Sequence, residues 1–121
     1  MENSLHQHFS IYEEMTAEEK KVAEFLKFKK LWWVFEQPLF ITDHKDRPRI
    51  WTPDFFLSEF GIYVEVCGNP NIDYSFRQKI YKLENTPIIF VHTYKPKWKF
   101  FLLQRIKEIQ KKRSILIEKI Q

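Results

Sequence analysis

Trp51-Thr52-Pro53-Asp54-Phe55-Phe56-Leu57, followed by Gly61-Ile62-Tyr63-Val64-Glu65-Val66-Cys67-Gly68, decides how this chain folds. Both runs are rich in β-branched and aromatic residues, and Glu59–Gly61 between them reads as a turn. They are therefore expected to pair as antiparallel neighbours. In the second run Ile62, Val64 and Val66 fall on one face, and Tyr63, Glu65 and Cys67 on the other. Each run carries one carboxylate in an apolar setting, and antiparallel pairing lets Asp54 and Glu65 converge at one sheet edge. Hard cations such as Mg²⁺ take oxygen donors of this kind, commonly one or two carboxylates plus phosphates. That is the minimum equipment for metal-assisted phosphodiester cleavage. Plainer readings exist for both residues. Asp54 could cap a backbone amide at a strand start. Glu65 could lie on a solvated face or pair with a base such as Arg77.

The elements on either side frame this pair. Thr16-Ala17-Glu18-Glu19 fits a capping box that opens a helix to about Lys30, with Val22, Ala23 and Leu26 as its apolar stripe. Glu19 shares that face, so it is either a third ligand or simply the cap; Glu18 is the fallback ligand. Leu31–Phe35 and Leu39–Thr42 are strand-like runs punctuated by Pro38, and Asp43–Pro48 is a polar turn. After Gly68-Asn69-Pro70-Asn71, Asp73 reads as the N-cap of a helix to about Glu84, with Phe76, Ile80 and Leu83 buried. Pro87–Val91 is wholly apolar and suits a central strand covered on both faces. A long amphipathic helix follows, with Leu102, Ile106, Ile109, Leu116 and Ile120 near one face and a break at Lys111–Ser114. Residues 1–15 read as a loose arm. The expected product is an α/β domain over residues 16–121, a central mixed sheet flanked by helices in the order αβββαβα.

Composition narrows the function classes. The chain has 121 residues, 44% hydrophobic and 17% aromatic, which suits one folded domain rather than disorder. The single cysteine excludes an internal disulfide framework and a cysteine-based zinc site, and fits a reducing intracellular (cytoplasmic) setting. No leader-like or membrane-spanning run is visible, so no membrane partner is expected. His6, His8, His44 and His92 share no metal-ligand spacing. The formal charge is +4, but Thr93–Gln121 holds nine Lys/Arg against two Asp/Glu. Lys111, Lys112 and Arg113 form the tight basic cluster, read either as a solvated helix face or as a phosphate contact. Trp32, Trp33, Phe35 and Phe40 read as packing residues, with base stacking the sharper alternative.

Thr52-Pro53-Asp54-Phe55, then Gly61-Ile62-Tyr63-Val64-Glu65-Val66-Cys67-Gly68, together with the upstream Glu19-x-x-Val22-x-x-x-Leu26 and Trp33-x-Phe35-Glu36, resembles the PD-(D/E)XK nuclease superfamily. The phage-type Holliday-junction resolvase branch is the nearest likeness. The resemblance covers roughly residues 16–91. It implies a restriction-endonuclease-like fold and a DNA endonuclease dependent on Mg²⁺ or Mn²⁺. The implied metal ligands are Asp54, Glu65, the Val66 carbonyl and Glu19, and a homodimer is compatible with this class. Cys67 stands where the family pattern has a lysine, and a cysteine supplies no fixed cation. Some members take the cation from the following helix. Here that points to Lys79 first, by helical-wheel angle, and to Arg77 second, in its Tyr74-x-x-Arg77 setting. The alternative is a nucleic-acid-binding module with a degenerate catalytic site.

Overall fold

The computed structural model describes residues 10–120. Three helices, α1 (Ala17–Phe28), α2 (Ser75–Leu83) and α3 (Trp98–Ile120), accompany six strands: β1 (Val34–Phe35), β2 (Leu39–Thr42), β3 (Pro48–Trp51), β4 (Phe55–Leu57), β5 (Ile62–Cys67) and β6 (Ile88–His92). The class is α/β, as expected. Four strands form one mixed sheet in the order β1-β4-β5-β6, parallel only between β5 and β6. β2 and β3 form a separate antiparallel hairpin.

The local chemistry explains where these elements begin and end. Thr16 caps α1 through both halves of a capping box, with Glu19 N donating to Thr16 Oγ1 and Thr16 N to Glu19 Oε1. The expected Trp51–Leu57 strand is two strands. Pro53 has no N–H to place in a ladder, so Trp51 closes β3 and Phe55 opens β4. Gly61 takes φ of 63° in the β4–β5 turn, where a side chain would be strained, and its amide returns to Leu57 O at 2.8 Å. Glu36 also takes a positive φ, 58°, and marks where β1 bends away toward the hairpin.

Several expectations need correction. β6 is an edge strand; its apolar run reflects cover on both faces, because Ile89 and Val91 join one core cluster and Phe90 the other. α3 runs unbroken through Lys111–Ser114, a stretch with no Gly or Pro to interrupt it. The arm ends earlier than Met15: Ile11–Glu14 form a 3₁₀ turn capped by Ser10, and Met15 is buried in the core. Residues 1–9 lie outside the described residues. α2 opens at Ser75, with Asp73 one residue further out, accepting from Ser75 N at 2.9 Å.

The sheet has two different faces. One packs on α1 and α3 through Val22, Leu26, Phe55, Ile62, Val64, Val91 and Leu102, all fully buried. The other is covered by α2 and the hairpin, through Ile41, Cys67, Ile80, Tyr81 and Phe90. By strand parity Glu65 shares this second face with Cys67.

Candidate functional site

Strand register brings the two carboxylates together. Phe55 pairs with Val64 across β4 and β5, so Asp54 lies one step further along, opposite Glu65. β4 ends there as a ladder strand, and the Asp54 side chain takes over its role: Val66 N donates to Asp54 Oδ2 at 2.7 Å. The Asp54 backbone is held from the other side by Glu36 N, which donates to Asp54 O at 2.8 Å. A residue's N–H and C=O point to the same edge of a strand, so the Val66 carbonyl also lies on the Asp54 side of β5.

The pair is electrostatically frustrated. Burial, reinforced by the charge of Glu65, pushes the Asp54 carboxyl up to about 8, against the pull of the Val66 amide. The nearby carboxylate of Glu19 adds to this. Burial also raises Glu65, outweighing the favourable charge of Arg77. Glu65 is 6% exposed. Its Oε2 accepts from Arg77 Nη1 at 2.5 Å, while Oε1 is buried with no described partner. A buried carboxylate oxygen without a partner is costly, and a cation or donor placed there would relieve it.

The phase of α2 decides which cation arrives. Ile80 and Tyr81 are its buried residues, whereas Phe76 is 49% and Leu83 64% exposed. The inward face therefore runs through Tyr74, Arg77, Ile80 and Tyr81; Ile80 is buried as expected, whereas Phe76 and Leu83 are not. Arg77 meets Glu65, and Lys79 is exposed on another side. Trp51 of β3 lies against the guanidinium of Arg77 at 5.5 Å and meets Tyr81 edge-on at 5.2 Å. That stacking fixes a long side chain which would otherwise be free. Cys67 is fully buried beneath this group, and burial pushes its thiol up to about 12, so it stays protonated and unreactive.

The other sequence candidates fall in different places. Glu19 is the helix cap, and its carboxylate also bears on Asp54. Glu18 instead accepts from Thr93 Oγ1 at 2.6 Å and pairs with Lys21. It lies against Gly68, where an added Cβ would come within 2.6 Å of Glu18 Cγ. The basic cluster is split. Arg113 turns inward and donates to the carbonyls of Phe60 and Gly61, holding the β4–β5 turn. Lys111 and Lys112 are exposed. Sequence reasoning missed Trp51 and Tyr81. The Tyr74-x-x-Arg77-x-x-x-Tyr81 spacing was the available signal, since i, i+3 and i+7 share one helix face.

Among the described residues no three His, Cys, Asp or Glu side chains are grouped as a metal cage. The donor set is two facing carboxylates with Glu19 at the rim, which suits a hard cation that keeps waters and substrate oxygens as its remaining ligands. No described helix is long and apolar enough to cross a membrane. Comparison with protein-family models, with curated proteins and with solved structures finds no match.

Proposed function

We propose that this chain is a metal-dependent DNA endonuclease with a restriction-endonuclease-like fold, its site built from Asp54, Glu65 and Arg77. The observation that carries the reading is the buried Asp54–Glu65 pair, with a raised carboxyl on one residue and an orphaned oxygen on the other. Perturbed carboxylates of this sort concentrate at functional sites. Asp54, Glu65 and the Val66 carbonyl would hold Mg²⁺ or Mn²⁺, with Glu19 reaching it directly or through water. The ion would supply a more acidic bound water and shield charge on the scissile phosphate.

The remaining work falls to the protein. Val66 N–H fixes the rotation of Asp54, and Arg77 fixes that of Glu65. Arginine keeps its proton at any working pH, so Arg77 serves as a fixed charge for the pentavalent phosphate rather than as a base. It fills the role left open by Cys67. The test is incubation of plasmid, linear and branched DNA with the protein and Mg²⁺ or Mn²⁺. The expected result is metal-dependent cutting that disappears in Asp54→Asn and Glu65→Gln. Cutting that persists undiminished in both variants would overturn the assignment.

The degenerate-module reading draws on one observation, the hold of Arg77 on Glu65 Oε2. It predicts salt-sensitive DNA binding with no metal-dependent cleavage by the wild-type chain.

A further inference from the structure

β6 is an open edge of the four-stranded sheet, and its backbone decides what that edge can offer. Tyr63 N donates to Pro87 O and Thr93 N to Cys67 O, so Pro87 and Thr93 point their backbone groups at β5. Alternation puts Ile89 and Val91 on the same side and leaves Ile88, Phe90 and His92 facing outward. His92 O is taken by Lys95 N in the following turn. The amides and carbonyls of Ile88 and Phe90 have no described partner. An unpaired strand edge is a template for another strand, and proteins commonly blunt it with proline, lysine or a bulge. Ile88–His92 carries none of these.

This edge lies on the floor of a groove of about 500 Å³ between α2 and α3. Gln78 and Lys82, one helical turn apart, form the α2 wall. Phe101, Arg105, Ile109 and Lys112 form the α3 wall, again at helical spacing. Lys82, Phe101 and Lys112 are exposed, and Ile109 is half-buried. The walls therefore hold three cations, and no acid lines them. Glu84 is turned to the hairpin, where it accepts from Thr42 N, and Glu108 holds Arg105 Nη1 from outside the groove.

We propose that the groove takes an extended acidic peptide, which adds to β6 as a fifth strand of the sheet. Strand addition draws affinity from main-chain bonds and specificity from the walls that alternate side chains meet. In the added strand one set of side chains would face α2 and the other α3. Carboxylates suit Lys82 on the α2 side. On the α3 side apolar groups suit Phe101 and Ile109, with Arg105 and Lys112 favouring negative charge around them. A second copy of β6 is the poorer occupant, because two-fold pairing would set these cations against their own like. A DNA strand is poorer too. Its phosphates would meet the cations, but a sugar–phosphate backbone only accepts and would leave the carbonyls of Ile88 and Phe90 unmatched. Neither Asp54 nor Glu65 lines the groove, so the contact stands whether or not the chain cuts DNA.

The probe is a capped heptapeptide alternating glutamate and valine, titrated into the full, isotope-labelled chain. Binding is expected to slow amide hydrogen exchange at Ile88 and Phe90 by about tenfold or more, with little change at Ile89 and Val91, which β5 already holds. Methylating one alternate set of peptide nitrogens, the set turned to β6, should abolish binding, and methylating the other set should be tolerated. A lysine–valine counterpart should not bind. Lys82→Glu combined with Lys112→Glu should weaken the glutamate peptide about tenfold or more. Both side chains are exposed, so an unchanged thermal melt is expected and confirms that the variant folds. No binding of the glutamate peptide, or protection that misses Ile88 and Phe90, would overturn the proposal. So would binding by both methylated peptides or by neither, and undiminished binding by the charge-reversed variant. Oligothymidylate that protects the same two amides in place of the peptide would assign the groove to nucleic acid instead, and a concentration-dependent dimer that protects them would assign it to a second copy.

Discussion

The two faces of the sheet hide different kinds of atoms. Toward α1 and α3 the buried layer is apolar but for Thr93, whose hydroxyl is satisfied by Glu18. Toward α2 and the hairpin it contains Glu65 and Tyr81, the residues that own both described buried side-chain atoms without a partner, Glu65 Oε1 and Tyr81 Oη. The first face is what a sheet needs in order to be stable. The second carries unsatisfied polar groups that stability alone does not require and that water or a ligand would relieve. Stability and chemistry thus sit back to back, separated by the thickness of β5.

The sharpest way to break the dry face is Phe55→Ala. Phe55 is fully buried and meets Trp33 and Phe35 at 5.3 and 5.5 Å. The expected loss is about 3–5 kcal/mol by urea unfolding, enough to threaten the fold. On the polar face, Arg77→Ala is expected to lower cleavage by about 10²–10³ while costing only about 1 kcal/mol. The stability cost is small because Arg77 is half exposed and Glu65 can take up a proton when the ion pair goes. Lys79→Ala should leave both quantities unchanged, and an equal loss from the two variants would break the assignment of the cation.

A third prediction concerns pH. The Asp54 carboxyl lies at about 8 in the fold, against an ordinary value of 3.8. Between those values the folded chain keeps a proton that the unfolded chain has released. The metal-free protein should therefore lose stability as pH rises from about 4 to about 8 and then level off. Glu65 is shifted in the same direction. Asp43 is shifted the opposite way, because hydrogen bonds from Arg47, Arg49 and Lys45 outweigh its burial; its contribution is lost only at acid pH. Asp54→Asn keeps the acceptor for Val66 N–H and should flatten the slope in thermal melts. A slope unchanged by that variant would remove Asp54 from the account. The smallest effect is expected from Tyr81→Phe. Its hydroxyl has no described partner, so its removal should be neutral or stabilising, within about 1 kcal/mol.

Much of this was legible in the sequence where one period or one spacing governed. The alternation in Ile62–Cys67 and the Gly61 turn led to the β4–β5 pair and so to Asp54 facing Glu65. The Thr16–Glu19 capping box was readable because it is local. What failed depended on tertiary context. α2 is short, and its stripe could be phased through Phe76 and Leu83 or through Tyr74 and Tyr81; the hairpin, absent from the helix's own sequence, selects the second. The same docking brings Arg77 rather than Lys79 to Glu65. Pro87–Val91 read as central because burial on both faces and a central position leave the same apolar signature. The split of the basic cluster was invisible because Arg113 bonds to carbonyls some fifty residues away.

The most direct measurement of the central claim is calorimetric titration of the metal-free protein with Mn²⁺ near neutral pH. The carboxylate pair predicts specific uptake accompanied by proton release, since a cation must displace the proton held by Asp54. Asp54→Asn and Glu65→Gln should each abolish it. No uptake by the wild-type chain, or uptake that survives both substitutions, would contradict the account.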